Sequence, residues 1–542
     1  MEENLEKLLR RAVAKLGARA EVEGAEFTVP PDPAHGDLTT NVALLMAQEL
    51  GADARALARE VAAELRDAPG VAAVDVAGPG FVNVRLADDV IFGALREAVA
   101  RADDYGRGDE GRGIKVQVEF VSANPTGPLN AVNARAAAYG DSLARLLEFT
   151  SHDVEREFYV CDVGTQMDLL GQSVRARLAE IRGEGAAVPE GGYRGEYVIE
   201  LARHLYEEGE IRGDEGDERL AAAAAEFIVT WQKKDLSDFA VNFDRWFREN
   251  SLYPDDVEAA KRLAAARGAT YEKDGALWLR TTAAGDDEDR VIVRADGRPT
   301  YFMADIAYHL NKYERGFEKV IDVLGPDHHG HVKKLHAMAE LLGLPADWLE
   351  VVISQQVNLL EGGEKVKMSK RAGNLVTMRE VIDNIGVDAA RFFFLLRTPS
   401  SHLDFDLELA RKQTPENPVY YAQYCYARVE SIKREANAEV AEAPPEDADP
   451  AALGLPEERL LARAIWEFPK VAAGAADRRE PHRLTAYATN LASLFHNYYQ
   501  HHRILQAPTE SKVRARLLLA RAAGQTMKNA LRLLGVSAPP RM

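Results

Sequence analysis

The chain has 542 residues, of which 46% are hydrophobic and 28% charged, and its formal net charge is −19. That is the composition of a soluble globular protein with room for two to four domains. No apolar stretch approaches the ~18 residues of a membrane span, and the N-terminus "MEENLEKLLRRAVAKLG" lacks an apolar signal core, so the expected compartment is the cytoplasm. Cys161 and Cys425 are too few and too far apart for a disulfide framework.

Taken in chain order, the opening residues read as a small α+β unit. Helical periodicity runs through "LEKLLRRAVAKL" and "NVALLMAQEL", and "FVNVRL" alternates as a strand does. The charged, Gly-rich "RADDYGRGDEGRG" at 101–113 reads as a linker. From 114 to about 398 strand-like runs alternate with helical stretches, the pattern of a parallel α/β sheet. The runs are "IKVQVEFV", "EREFYV", "KVIDVLG" and "EVVISQQV". A helix-rich insertion is expected over about 170–290. After about 400 the chain reads as helical to its end, broken by the acidic "AEVAEAPPEDADPAALGLPEE". Between Pro481 and Met542 nine bases face one acid, Glu510, which points to a polyanion-binding surface despite the negative total.

Two segments carry the chemistry. In "NPTGPLNAVNAR", residues 124–135, a strand gives way to a turn bent by Pro125, Gly127 and Pro128 and then to a helix. Free backbone amides and the helix dipole favour anions at such a junction. In "GGEKVKMSKRAGN", residues 362–374, Lys367 and Lys370 flank Met368 and Ser369 in a Gly-bounded basic loop suited to charge developing on a leaving phosphate. Neither G-x-x-x-x-G-K-[ST] nor a strand-following G-x-G-x-x-G occurs. "GPDHHGH" at 325–331 carries three histidines, but adjacent histidines point apart and no cysteine is near, so no structural metal is expected.

"KMSKRAGN" is similar to the KMSKS loop of class I aminoacyl-tRNA synthetases. "VEFVSANPTGPL", "TYFMADIAYHLNKYERGF", "VIDVLGPDHHGHVKKL", "GVDAARFFFLLR" and the ending "ALRLLGVSAPPRM" resemble segments of the arginyl-tRNA synthetases in the same order. The resemblance covers essentially the whole chain. It implies a multidomain α/β protein: an N-terminal α+β additional domain at 1–100, a Rossmann-like parallel-sheet catalytic domain at 110–400 with the insertion, and an anticodon-binding helical bundle at 401–542. It implies an ATP-dependent arginine–tRNA ligase, with Mg²⁺ accompanying ATP, tRNA(Arg) as partner, and a monomer as the form.

The resemblance also assigns residues. Glu119, Ser122, Asn124, Asp162, Tyr301, Asp305 and His328 would bind arginine, whose planar guanidinium calls for carboxylates. Tyr301 and Asp305 share a helical face by their spacing, and Glu119 is a carboxylate on an otherwise apolar strand. ATP would meet Asn130, Val132, Asn133, Gly325, Asp327, Met368, Ser369 and Lys370. The catalytic group would be Lys367, Lys370, Asn130 and Asn133. The family's His-x-Gly-His signature falls on Asn130-Ala131-Val132-Asn133, with both histidines and the glycine replaced, and its Asn-Asp-Ala-Gly falls on Cys161-Asp162-Val163-Gly164. An amide still donates to phosphate but carries no charge, and a β-branched side chain at 132 should crowd an adenine ring. The alternative is therefore a tRNA-binding homologue impaired in adenylation.

Overall fold

The structure, a computed structural model, describes residues 2–18, 26–30, 32–365, 376–436, 438–441 and 443–542. Lys367, Met368, Ser369 and Lys370 lie outside the described residues.

The N-terminal unit packs helices Val42–Leu50 and Ala54–Leu65 on an antiparallel sheet of β1 (Leu38–Thr40), β2 (Val71–Ala77) and β3 (Phe81–Leu86), in the order β1-β3-β2, with helix Glu2–Lys15 against Ala54–Leu65. At its foot Gly36 has φ +91°, and a Cβ there would lie 2.7 Å from the Val84 carbonyl oxygen, so only glycine fits. The unit rests on the C-terminal helices. Arg459 reaches Asp37 at 2.8 Å, Arg463 donates to the carbonyls of Pro30 and Gly36, and the Tyr105 hydroxyl donates to the Ile465 carbonyl.

The central sheet begins with β4 (Lys115–Phe120), β5 (Asp153–Val160) and β6 (Arg245–Arg248). A small antiparallel sheet of β7 (Thr270–Lys273), β8 (Ala276–Leu279) and β9 (Arg290–Val293) follows, and then β10 (Lys319–Leu324) and β11 (Leu349–Ile353). The large sheet is wholly parallel in the order β11-β10-β4-β5-β6. Its first strand is central: the chain winds outward through β5 and β6, then crosses to β10 and β11. The switch between β4 and β10 leaves a crevice at the strands' carboxyl ends, where ligands settle in such folds.

Two sequence expectations shift. The span 170–290 is no uninterrupted insertion, because β6 returns to the sheet in the middle of it. Helices Thr165–Ile181, Glu196–Glu207 and Asp217–Asp238 precede β6, and β7–β9 follow it. "RWFR" is a four-residue edge strand with an arginine at each end, which hides its apolar alternation. The run "EVVISQQV" divides, since β11 ends at Ile353 and a separate strand, Val357–Glu361, pairs in parallel with Leu403–Asp406.

Four long helices, Pro418–Glu435, Pro456–Asp477, His482–His501 and Glu510–Leu533, form the C-terminal bundle. Its basic tail is largely spent on internal ties. Arg516 forms a buried pair with Glu458, Lys528 and Arg532 reach Asp103, and Arg521 donates to the Ala443 carbonyl. Tyr498 is fully buried, whereas Tyr499 is half-buried beneath the Arg428 guanidinium. No described helix is long and apolar enough to cross a membrane.

Candidate active site

The central strand ends in strain. Val121 and Ser122 hold φ +70° and +39°, a region that costs non-glycine residues on the order of 1–3 kcal/mol each. The Ser122 hydroxyl holds the bend by donating to Glu119 Oε1 at 2.8 Å and accepting from the Tyr159 amide at 3.1 Å. Glu119 is buried, and its other oxygen, Oε2, accepts from Lys312 Nζ at 2.6 Å. Lys312, also buried, donates to Asp322 Oδ1 at 2.7 Å, and Asp322 stands directly opposite Glu119 on β10. His309 closes the network, 2.9 Å from Asp322 Oδ2. Burial works against both carboxylates, but Lys312 and His309 hold Asp322 well below the usual range, while burial prevails at Glu119 and pushes it up. Both Glu119 oxygens are thus engaged by the protein, and a guanidinium would have to displace Lys312 to use them.

A different carboxylate lies open to a cation. Glu249 begins the 3₁₀ turn after β6 and is only 2% exposed, yet it has no ion pair among the described residues. Burial pushes its carboxyl up to about 7; hydrogen bonds from Cys161 and Tyr159 oppose this, and the negative charges of Asp305 and Asp162 add to it. It lines a cleft of about 310 Å³ with Gly164, Asp168, Tyr253, Arg294 and Tyr301. Asp162 holds the turn in place, accepting from the Asn250 amide at 2.9 Å and lying 3.4 Å from Arg248. Asp305, about a third exposed, has Lys334 at 3.8 Å. Tyr301, 49% exposed, reaches across to Gly164, whose φ is +85°; a Cβ there would lie 2.7 Å from the Tyr301 hydroxyl. The fold therefore gathers Asp162, Tyr301 and Asp305 around Glu249 and sets Glu119 and Ser122 behind them. Sequence reasoning missed Glu249. In "RWFREN" it looks like one more charge on an edge strand, and only its burial distinguishes it.

The altered signature forms a closed cap. Asn130 is the N-cap of helix Ala131–Phe149, and its Oδ1 accepts from the amides of Val132 (2.9 Å) and Asn133 (3.1 Å). Asn133 Oδ1 returns the contact, accepting from the Asn130 amide at 3.0 Å. This reciprocal box satisfies helix-end donors that would otherwise need water. It also commits the side-chain oxygens, so the Nδ2 amides are the groups that can donate to a phosphate. Val132 is half-buried and Asn124 exposed.

Backbone bonds join this turn to the far side of the lysine-bearing segment. The Ala131 amide donates to the Val376 carbonyl at 2.9 Å, and the Met378 amide to the Leu129 carbonyl at 2.7 Å. On the other flank Gly325 precedes the 3₁₀ turn Pro326–His331 at the carboxyl end of β10. Asp327 is exposed there, and His328 and His331 face each other, Nδ1 to Nδ1, at 3.1 Å. The acidic cleft, the capped turn and this histidine turn all lie at the carboxyl ends of the parallel strands.

Against known families the chain matches three models in succession: the arginyl tRNA synthetase N-terminal domain over residues 3–86, the catalytic domain of tRNA synthetases class I (R) over 96–393, and the DALR anticodon binding domain over 422–542. An arginine–tRNA ligase of Syntrophotalea carbinolica is 47% identical over 523 residues, covering 95% of this chain and 94% of its own. One from Moorella thermoacetica is 47% identical over 522 residues, covering 95% and 93%. The structure of Thermus thermophilus arginyl-tRNA synthetase shares the fold over 100% of both chains, with a TM-score of 0.80 at 22% identity.

Proposed function

The chain belongs to the arginyl-tRNA synthetase family of ATP-dependent arginine–tRNA ligases, and from that premise we propose how its residues divide the reaction. The arginine guanidinium enters the cleft between Glu249 and Asp305, with Tyr301 covering it and Asp162 positioning the Glu249 turn. The observation that carries this is the buried Glu249, which has no ion pair among the described residues. A carboxylate taken out of water without a cation is costly, and a guanidinium supplies both the charge and a planar fork of donors. Glu119 and Ser122 then act from behind, stabilising the strained strand end that leads to Asn124.

ATP lies across the crevice. The Asn130 and Asn133 side-chain amides and the positive end of the helix dipole face its phosphates, with Val132, Gly325, Asp327 and His328 around the nucleoside and the arginine head. Mg²⁺ arrives with the nucleotide as part of the substrate. The arginine carboxylate attacks the α-phosphorus and pyrophosphate leaves, its growing charge met by Lys367 and Lys370, with Met368 and Ser369 between them in the sequence and also assigned to ATP. A hydroxyl of the 3′-terminal adenosine of tRNA(Arg) then attacks the activated carbonyl and releases AMP. The N-terminal unit (1–100), the catalytic region (110–400) and the bundle (401–542) would engage the tRNA as one monomer in the cytoplasm.

The test is charging of purified tRNA(Arg) with labelled arginine. Charging that requires ATP supports the reading. Tight tRNA binding with no charging at high protein concentration selects the adenylation-impaired homologue instead.

A further inference from the structure

The helix Asp217–Asp238 touches both halves of the ATP site through one face. Gln232, almost fully buried, donates from Nε2 to the carbonyls of Asn124 (3.2 Å) and Gly127 (3.0 Å), two points on the signature turn. One turn further on, Asp235 Oδ1 accepts from Arg379 Nε (3.0 Å) and Nη2 (2.6 Å), and Asp238 Oδ2 accepts from Nη2 (2.5 Å). Arg379 is the second residue of helix Met378–Ile385, whose first amide is bonded to the Leu129 carbonyl. The contacts at 232, 235 and 238 fall at three-residue intervals, so a single rigid element holds both groups.

We propose that this helix is a spacer fixing the distance between the phosphate-facing turn and the base of the lysine-bearing segment, with Gln232, Asp235 and Arg379 as positioning residues for adenylate formation. The inference rests on the ATP-site reading above. Stability alone accounts poorly for these side chains. Gln232 Oε1 and Asp235 Oδ2 are buried without hydrogen-bond partners among the described residues, so each carries a desolvation cost that an apolar side chain or a neutral amide would reduce. Their other atoms make the bonds that bridge the two parts of the site. Burial pushes the Asp235 carboxyl up against the lowering effect of Arg379, as expected of a half-satisfied acid. Tyr197, on helix Glu196–Glu207, adds a second contact, its hydroxyl donating to the Thr126 carbonyl at 2.7 Å.

The experiment is arginine- and tRNA(Arg)-supported ATP–pyrophosphate exchange by the full chain. A small misplacement of reacting groups costs up to ~100-fold, so Arg379→Gln should lower kcat at least about tenfold and raise the KM for ATP. The KM for arginine should stay within about twofold, because Gln232, Asp235 and Arg379 are not among the residues lining the acidic cleft, nor are the groups they bond to. Arg379→Lys should recover only part of the loss, since an ammonium cannot reproduce the forked contact. Gln232→Leu keeps the volume, removes only the two bonds to the turn, and should shift kcat and the ATP KM the same way without lowering the melting temperature. If Arg379→Gln fails to fold, Gln232→Leu decides. Wild-type kcat and ATP KM in a folded Gln232→Leu chain overturn the spacer. An unaltered chain that gives no exchange with arginine, ATP and tRNA present overturns the ATP-site reading itself, and the spacer with it.

Discussion

Lys312 Nζ lies 2.6 Å from Glu119 Oε2, and the same ammonium is 2.7 Å from Asp322 Oδ1, so one buried cation serves two carboxylates on adjacent central strands. Removing a partner from a buried pair leaves uncompensated charge and typically costs about 3–5 kcal/mol. Lys312→Met should therefore destabilise the fold by at least that range, measured by denaturant unfolding. It should also release Ser122 from its strained bend, because Glu119 loses the partner that fixes it. A variant as stable as the parent would mean that Glu119 and Asp322 are protonated in the fold and that Lys312 contributes little.

Glu249 presents the opposite case, an acid awaiting its cation. Glu249→Gln keeps shape and removes charge. Losing one partner of a buried charged pair costs roughly 2–5 kcal/mol, so the KM for arginine should rise by about 30-fold or more in steady-state charging, with a smaller change in kcat. The substrate-free protein should become more stable at pH 8. In the fold the carboxyl is pushed from 4.5 up to about 7, so Glu249 favours folding when protonated and loses that contribution as pH rises through 7. An arginine KM unchanged by the substitution would remove Glu249 from the pocket.

The same shift sets the pH dependence of binding. A guanidinium binds the ionised carboxylate, so the arginine KM should fall as pH rises from about 5.5 and level off above about 7. Below that point it should climb about tenfold per pH unit, and in Glu249→Gln the slope should vanish. A flat profile in the unaltered chain would place a permanent anion in the cleft instead.

Much of this was legible in the sequence, for physical reasons that differ by residue. The strand before residue 124 and the helix after 130 stand out because Pro125, Gly127 and Pro128 punctuate two clear periodicities, and Tyr301 with Asp305 announce their shared face by spacing alone. Glu119 also stood out, as a charge on an apolar strand, but the sequence cannot say which cation answers it. The answer comes from Lys312, 193 positions away. Glu249 was invisible because its burial is produced by β6 docking on β5, a long-range contact, and β6 itself is hidden by its arginines. The internal partners of some bases near the C-terminus were hidden for a similar reason: Asp103, which meets Lys528 and Arg532, arrives from another part of the chain.

The altered signature gives the last prediction. Asn130 and Asn133 cap each other, so the turn is well formed without histidines, and what they lack is charge rather than geometry. Asn130→Ala should cost about 1 kcal/mol of stability as a lost N-cap and lower adenylation as well, because the turn's amides lose their alignment. Restoring Asn130→His, Val132→Gly and Asn133→His together should raise the rate of arginine- and tRNA-supported pyrophosphate exchange. Glycine at 132 makes room against the first helical turn, and imidazoles add donors that can be cationic. The same change should lower stability by about 1–2 kcal/mol, since it removes the Asn130–Asn133 cap and glycine is a poorer helix residue than valine. The two readouts move in opposite directions, which separates a catalytic gain from a change in folded fraction. If exchange does not rise while stability falls as expected, then the neutral amide pair already supplies the stabilisation the reaction needs, and the cleft has adapted to Val132 by seating the adenine away from the helix start.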